Sequence, residues 1–366
     1  VRVNAIDVQA KVISEGANLA ITQPGRIEYE FNKGRINTDA IDNSAGVNMS
    51  DYEVNIKILL SDFLSKGIIK TQNQRNKLLE KATDEVTALV LKNNIKQHEL
   101  ISMDQYRCEK NPAFIEASLM TLINEHRLSI IDEQIPELKV RQEYYKNQQG
   151  LPRSIISKCQ AYTKMKVTEH LMTSHQFDAP FYDQLFLQYF PKTIQTLMKK
   201  HTHFTHRLKQ QIIITQLTNY FVGIFGCSSF ETLTFSNQLP IDITIHNLTI
   251  LEDIFNTHNK RNDFLSESLT YKTFKNINTL NQRLLYCNFI CQKLDLQLNH
   301  QHIDHYKNIL NISKKYGLSD VIKCYLLQSN EPDHVIEKLL QLNQAVNILD
   351  YFTHLESIPA LNSLSL

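Results

Sequence analysis

The sequence predicts a mainly α-helical protein, with a short α/β stretch at the N-terminus followed by a large all-helical region. Three observations carry this. Strand and turn chemistry is confined to positions 1–50. From Tyr52 onward apolar residues recur at helical spacing. Nine glycines and nine prolines are all that punctuate 366 residues, which suits long helices joined by short connections.

Taken in order, Lys11 to Glu15 (KVISE) is a β-branched run ending at Gly16, which reads as a strand and a tight loop. Arg26 to Phe31 (RIEYEF) alternates apolar and charged positions. Asn32-Lys33-Gly34 then supplies a turn, and Arg35-Ile36-Asn37 reads as the second arm of a hairpin. Asp39, Asp42 and Asn43 have turn chemistry, with Gly46 as a permissive joint. Ser50 stands three residues before Glu53, the spacing of a reciprocal N-terminal cap. A helix is therefore expected over Asp51–Ser65, with Tyr52, Ile56, Leu59, Leu60, Phe63 and Leu64 recurring at helical intervals and Gly67 closing it.

Helical patterns continue over Gln72–Leu91 and His98–Arg127, the latter interrupted near Pro112. Pro152 suits the start of another helix. Tyr182–Lys199, His203–Phe225, Leu248–His258, Tyr271–Leu296, His302–Tyr316 and His334–Phe352 complete the series, and Ser357–Leu366 is expected to be loose. Asn, Gln and Thr are frequent in these segments, so packing rather than propensity must stabilise them.

Hydrophobic residues at 42% and a net charge of +1 describe a globular chain and argue against charge-driven nucleic-acid binding. No stretch reads as a bilayer span, because Gln216, Thr218 and Asn219 break the apolar run Ile212–Phe225. A basic-then-apolar leader is not evident. Six scattered cysteines without a CxxC pair suggest reduced thiols and a cytoplasmic setting. The opening at Val1 without methionine suggests the C-terminal portion of something longer.

Two stretches bear on chemistry. Glu15-Gly16-Ala17-Asn18, with Thr22 after it, leaves the expected strand where ligands bind in doubly wound sheets. Ser50 at a helix N-terminus is either a simple cap or a carboxylate-binding hydroxyl. Together, Glu15-Gly16-Ala17-Asn18, Thr22, Asp39, Asn43-Ser44-Ala45-Gly46-Val47 and Ser50 with Glu53 resemble the end of the Rossmann-like coenzyme domain of glutamate dehydrogenases. GRIEYEF, GRINTDAIDNSAGV and SDYEVNIKILL are similar to the large NAD-dependent members of that family. His206 to Asn219 (HRLKQQIIITQLTN) is similar to their helical C-terminal domain. The family usually has a second glycine where this chain has Ala45.

The resemblance implies residues 1–93 as the end of a catalytic region and 94–366 as a helical C-terminal domain. It implies NAD as cofactor, with Gly16, Asn18 and Asn43 on the cofactor side. It implies L-glutamate and 2-oxoglutarate as substrate and product, with Val47 along the methylene chain and Ser50 on the distal carboxylate. A homo-oligomer, and an upstream catalytic region that completes the site, are also implied. No GxGxxG loop occurs, and nothing matches the surroundings of the family's catalytic lysine and aspartate, so no catalytic residue is assigned and the chain alone is expected to be inactive. His201, His203 and His206 share the spacing HxHxxH with His300, His302 and His305. Without a matching ligand set they read as solvated or helix-end histidines, and no metal site is assigned. Two other readings stay open: a helical assembly or regulatory module that docks on a dehydrogenase, and a dehydrogenase for another amino acid.

Overall fold

The computed structural model describes residues 3–146, 150–174, 177, 180–201, 204–229, 240–266 and 271–293, with positions 298, 303, 304 and 307. The chain divides into two compact units, Val1–Phe230 and Glu231–Leu366. The described residues are mainly helical and form no strand.

The first unit holds ten helices among its described residues: α1 (Gln23–Phe31), α2 (Asp39–Asp42), α3 (Ser44–Ser65), α4 (Gln72–Lys110), α5 (Pro112–Asn124), α6 (Leu138–Lys146), α7 (Arg153–Met172), α8 (Asp183–Tyr189), α9 (Lys192–Lys200) and α10 (Lys209–Phe225). The expected hairpin is absent, because RIEYEF lies within α1. Thr22 caps that helix by accepting from the Gly25 amide at 3.3 Å, and Pro24 occupies its first turn. Arg26, Ile27 and Tyr29 are all buried, so the apparent alternation came from a charged residue that points inward. What remains of strand pairing is one parallel bridge between Val12 and Arg35, with α1 as the connection. Its bonds run from Ile13 N to Arg35 O and from Arg35 N to Lys11 O, each 3.0 Å.

Ser50 is not a cap. α3 begins at Ser44, with Asn43 at the joint between α2 and α3, so Ser50 lies inside the helix and Glu53 pairs with Lys57. The helix starts early because α4 grips Ser44: the Asn94 and Gln97 amides both donate to its Oγ at 3.0 Å. Gly46 sits in the first turn rather than in a loop. Of the expected stripe, Tyr52, Ile56, Leu59, Leu60 and Phe63 are buried, while Leu64, next to Phe63 at the edge of that face, is only half-buried. Lys66 ends the helix, and Gly67 follows at φ +69.

α4 runs unbroken through positions 93 and 94 to Lys110. Asn111 then caps α5 by accepting from the Ala113 amide, with Pro112 in the first turn. Pro152 stands directly before α7. The expected helix Tyr182–Lys199 is split at Phe190 and Pro191, and the one expected from His203 begins only at Lys209. His206 is held outside that helix by its Nε2 contact with the Asn55 carbonyl at 3.1 Å. One core joins Ile27 and Ile41 to Ile101 of α4, Ile115 of α5 and Ile156 of α7.

The second unit contains α11 (Ile241–Phe255), α12 (Thr257–Ser266) and α13 (Tyr271–Lys293). Buried Arg261 pins the three together, pairing with Glu252 and donating from Nε to Asn281 Oδ1 at 3.0 Å. The expected helix His334–Phe352, the loose end Ser357–Leu366 and nearly all of His302–Tyr316 lie outside the described residues. Among the described residues, no helix is long and apolar enough to cross a membrane.

Candidate functional site

The α2–α3 joint is where the two sequence motifs meet. Asn43 Nδ2 donates to Asn18 Oδ1 at 2.8 Å, across 25 positions of chain. Val47 and Ser50 lie three apart on α3, one and two turns beyond its N-cap Asn43, and so share one face. That face is exposed: Val47 is 67% accessible and Val54, one turn beyond Ser50, is 51%. Asn18 therefore sits at the head of an open stripe running Asn43, Val47, Ser50. Ser50 Oγ donates to the Gly46 carbonyl at 3.4 Å, a long bond that leaves the hydroxyl available to a better acceptor. Gly16 is exposed, and a side chain there would meet open space. At Gly46 an added Cβ would lie 3.0 Å from Asn43 Oδ1, so this glycine makes room for the folded-back carboxamide.

The loop presenting Asn18 is held from below by buried charge. Glu15 and Arg26 pair at 2.6 Å, and Arg26 Nε adds a second bond at 2.9 Å. Glu15 Oε1 accepts from the Ile21 amide, closing the loop on itself. The Glu15 and Leu19 amides donate to Asp42 and Asp39 of α2 at 3.0 and 2.9 Å. Glu15, Arg26, Asp39 and Asp42 thus set the loop against the joint. Glu15 belongs to the EGAN motif, yet its supporting role has no local signal, because its partners lie on α1 and α2.

A second layer reaches the joint from α4 and α7. Asn37 Nδ2 donates to Asp42 Oδ1 at 3.0 Å and to His98 Nδ1 at 2.9 Å, while Asn37 Oδ1 accepts from Arg153 Nε at 3.1 Å. With the carboxamide fixed this way, His98 Nδ1 must carry the lone pair. Burial holds the His98 pKa below its usual 6.5; Asp42 opposes this and Arg153 reinforces it. As pH falls, the unfolded chain therefore takes up this proton first. The stability from neutral His98 is complete above its unfolded value and lost as pH drops through the folded one. Acidifying from about pH 7.5 to about 5.5 should lower the urea midpoint more in the wild type than in His98→Gln. Equal losses would show that His98 carries none of the effect.

Among the described residues, Cys108 and Cys227 are buried thiols held in the protonated form. Cys108 accepts from the Leu151 amide, and burial pushes its thiol up to about 12. Cys227 is raised as well, through its hydrogen bond with Cys159 and through burial. Among the described residues, no group of three or more His, Cys, Asp or Glu side chains is placed to hold a metal ion. His203, His300, His302 and His305 lie outside the described residues.

Comparison with known proteins bears on the family of the chain. Residues 1–104 match the family model described as bacterial NAD-glutamate dehydrogenase, catalytic domain, and residues 148–273 match glutamate dehydrogenase, C-terminal. An NAD-specific glutamate dehydrogenase of Mycobacterium tuberculosis is 34% identical over 243 residues, 66% of this chain and 15% of that protein. One from Pseudomonas aeruginosa is 35% identical over 254 residues, 69% of this chain and 16% of that protein. One from Halomonas elongata is 32% identical over 225 residues, 62% of this chain and 14% of that protein. The chain thus spans 14% to 16% of the length of these curated relatives. Catalytic-domain and C-terminal matches follow one another along a single polypeptide, and the chain belongs to the bacterial NAD-glutamate dehydrogenase family.

Proposed function

We propose that this chain forms one wall of a glutamate dehydrogenase active site. The reaction is oxidative deamination: L-glutamate and water give 2-oxoglutarate and ammonium, and the hydride leaves Cα for NAD. The observation that carries this reading is the Asn43–Asn18 bond, which brings both motifs to the head of the exposed Val47–Ser50 stripe. Asn18 and Asn43, with Gly16 beside them, face the dinucleotide. Val47 packs along the substrate methylenes, and Ser50 donates its hydroxyl to the distal carboxylate.

The residues present suit the nicotinamide end of the cofactor. Asn18 Nδ2 and Asn43 Oδ1 pair with no described residue, which leaves one donor and one acceptor for another carboxamide. They do not supply a phosphate cradle, because the sequence has no GxGxxG loop. That part, with the proton-transferring lysine and aspartate, belongs on this reading to the upstream catalytic region of the long family members. Residues 1–93 then close the catalytic region and 94–366 form the helical C-terminal domain, with α4 shared between them. A cytoplasmic homo-oligomer completes the reading.

Ser50→Ala in the full-length enzyme tests it. The Michaelis constant for glutamate should rise about 10- to 100-fold, the equivalent of one hydrogen bond to a charged group. The constant for NAD should move less than about twofold. An unaltered glutamate constant would remove Ser50 from the site. Comparing glutamate with leucine or valine separates this substrate from another amino acid.

A further inference from the structure

We propose that Lys164, on α7 within the residues that match the family's C-terminal model, is a positioning residue for the site: acting through Gln97 and Ser44, it fixes the backbone that presents Asn43 to Asn18. This rests on the dinucleotide-side assignment of Asn18 and Asn43 made above. Lys164 Nζ donates to Gln97 Oε1 at 3.2 Å, its one hydrogen bond among the described residues. An ammonium is donor-only, so it decides which end of the Gln97 carboxamide faces it. The amino end is thereby turned to Ser44 Oγ, 3.0 Å away.

Asn94, one turn before Gln97 on α4, completes the grip. Its Nδ2 donates to Ser44 Oγ at 3.0 Å and to the Ile41 carbonyl at 2.9 Å. Residues 41 and 44 bracket Asn43, so α4 holds the chain on both sides of it. With both flanks fixed, the Asn43 side chain reaches Asn18 from a defined backbone. Burial also pushes the Lys164 ammonium down to about 8, so its desolvation is not offset by a carboxylate. Were Lys164 a surface charge, its loss would be silent. Here its loss frees Gln97 to turn over, and a carbonyl oxygen then faces the Ser44 hydroxyl in place of an N–H.

The test uses the full-length enzyme and reads the Michaelis constants for NAD and glutamate separately. Lys164→Met is expected to raise the NAD constant about tenfold, the loss of one charge-assisted contact, with less than about a twofold change for glutamate. Lys164→Arg keeps a charged donor and should restore most of the loss. Gln97→Leu should reproduce the Lys164→Met effect. In an Asn43→Ala background Lys164→Met should add little, because both act on one contact. Additive penalties, or equal rises in both constants, would overturn the proposal in favour of a merely structural lysine. Should Lys164→Met fail to fold, an unchanged NAD constant in Gln97→Leu would overturn it. Wild-type NAD binding in Asn43→Ala would sink the dinucleotide assignment and the Lys164 proposal together. A raised constant there, with none in Lys164→Met, would sink the Lys164 proposal alone.

Discussion

Glu15→Ala is expected to lower the stability of the unit by about 3–5 kcal/mol, the range for removing one member of a buried ion pair. Glu15 and Arg26 are 3% and 4% exposed, so the guanidinium left behind cannot recover its lost partner from water. Asp39, 3.5 Å from Arg26 Nη2, offers partial replacement and places the loss toward the lower end. Function should suffer beyond stability. Glu15 Oε1 also closes the loop on the Ile21 amide, so Asn18 loses its support from below. The NAD Michaelis constant of the full-length enzyme should therefore rise more than that for glutamate. Glu15→Gln keeps a single oxygen, enough for Ile21 or for Arg26 but not for both, and removes the charge, so it should fall between. A urea midpoint unchanged in Glu15→Ala would mean that the pair adds nothing to the fold.

The sequence was legible where one face of a helix decides the outcome. The Tyr52–Phe63 stripe, the Asn111-Pro112 break and Gly67 after Lys66 are local signals, and each has its expected structural counterpart. It misled where a polar residue points inward. Buried Arg26 made a helix look like an alternating strand, although Thr22 and Pro24 start that helix. At Ser50 the capping spacing is real, but Asn94 and Gln97, some fifty positions away, move the helix start to Ser44. The same distance hides the supporting parts of the site. Arg153 meets Asn37 across 116 positions and Lys164 meets Gln97 across 67, and nothing near either residue announces it. Asn18, Asn43, Val47 and Ser50 were grouped only by the family resemblance, and the structure joins Asn18 to Asn43 directly. Their relation in space came from the α2–α3 joint, which no pattern in the sequence specifies.

Gly226→Ala is the second substitution with a large expected effect, and it concerns how α10 is fastened to α4 and α7. Gly226 follows α10 at φ +81 and ψ −166, a region essentially reserved for glycine, where an L side chain costs about 1–3 kcal/mol even in open space. The space is not open. An added Cβ would lie 2.0 Å from Asp104 Oδ1 and 2.5 Å from Arg107 Nη1. Asp104 is fully buried and cannot step aside: it accepts from the Cys227 amide at 2.7 Å and from Arg107 Nη1 at 2.8 Å. Arg107 in turn donates to the Ile224 carbonyl at 2.9 Å, and Thr163 of α7 to that of Cys227 at 2.8 Å. Relieving the clash means breaking this buried charged network, so the loss should reach about 4 kcal/mol or more. In a thermal melt that is a fall of about 10 °C or more for a unit of this size. Gly67→Ala is the control, because Gly67 has φ +69 and nothing within 4 Å of an added Cβ. It should cost only the backbone term of about 1–2 kcal/mol. The excess loss in Gly226→Ala beyond a backbone difference of about 1–2 kcal/mol reports the contact with Asp104. Equal losses would show that Asp104 yields to the new methyl and that the α10 terminus is not held by that carboxylate.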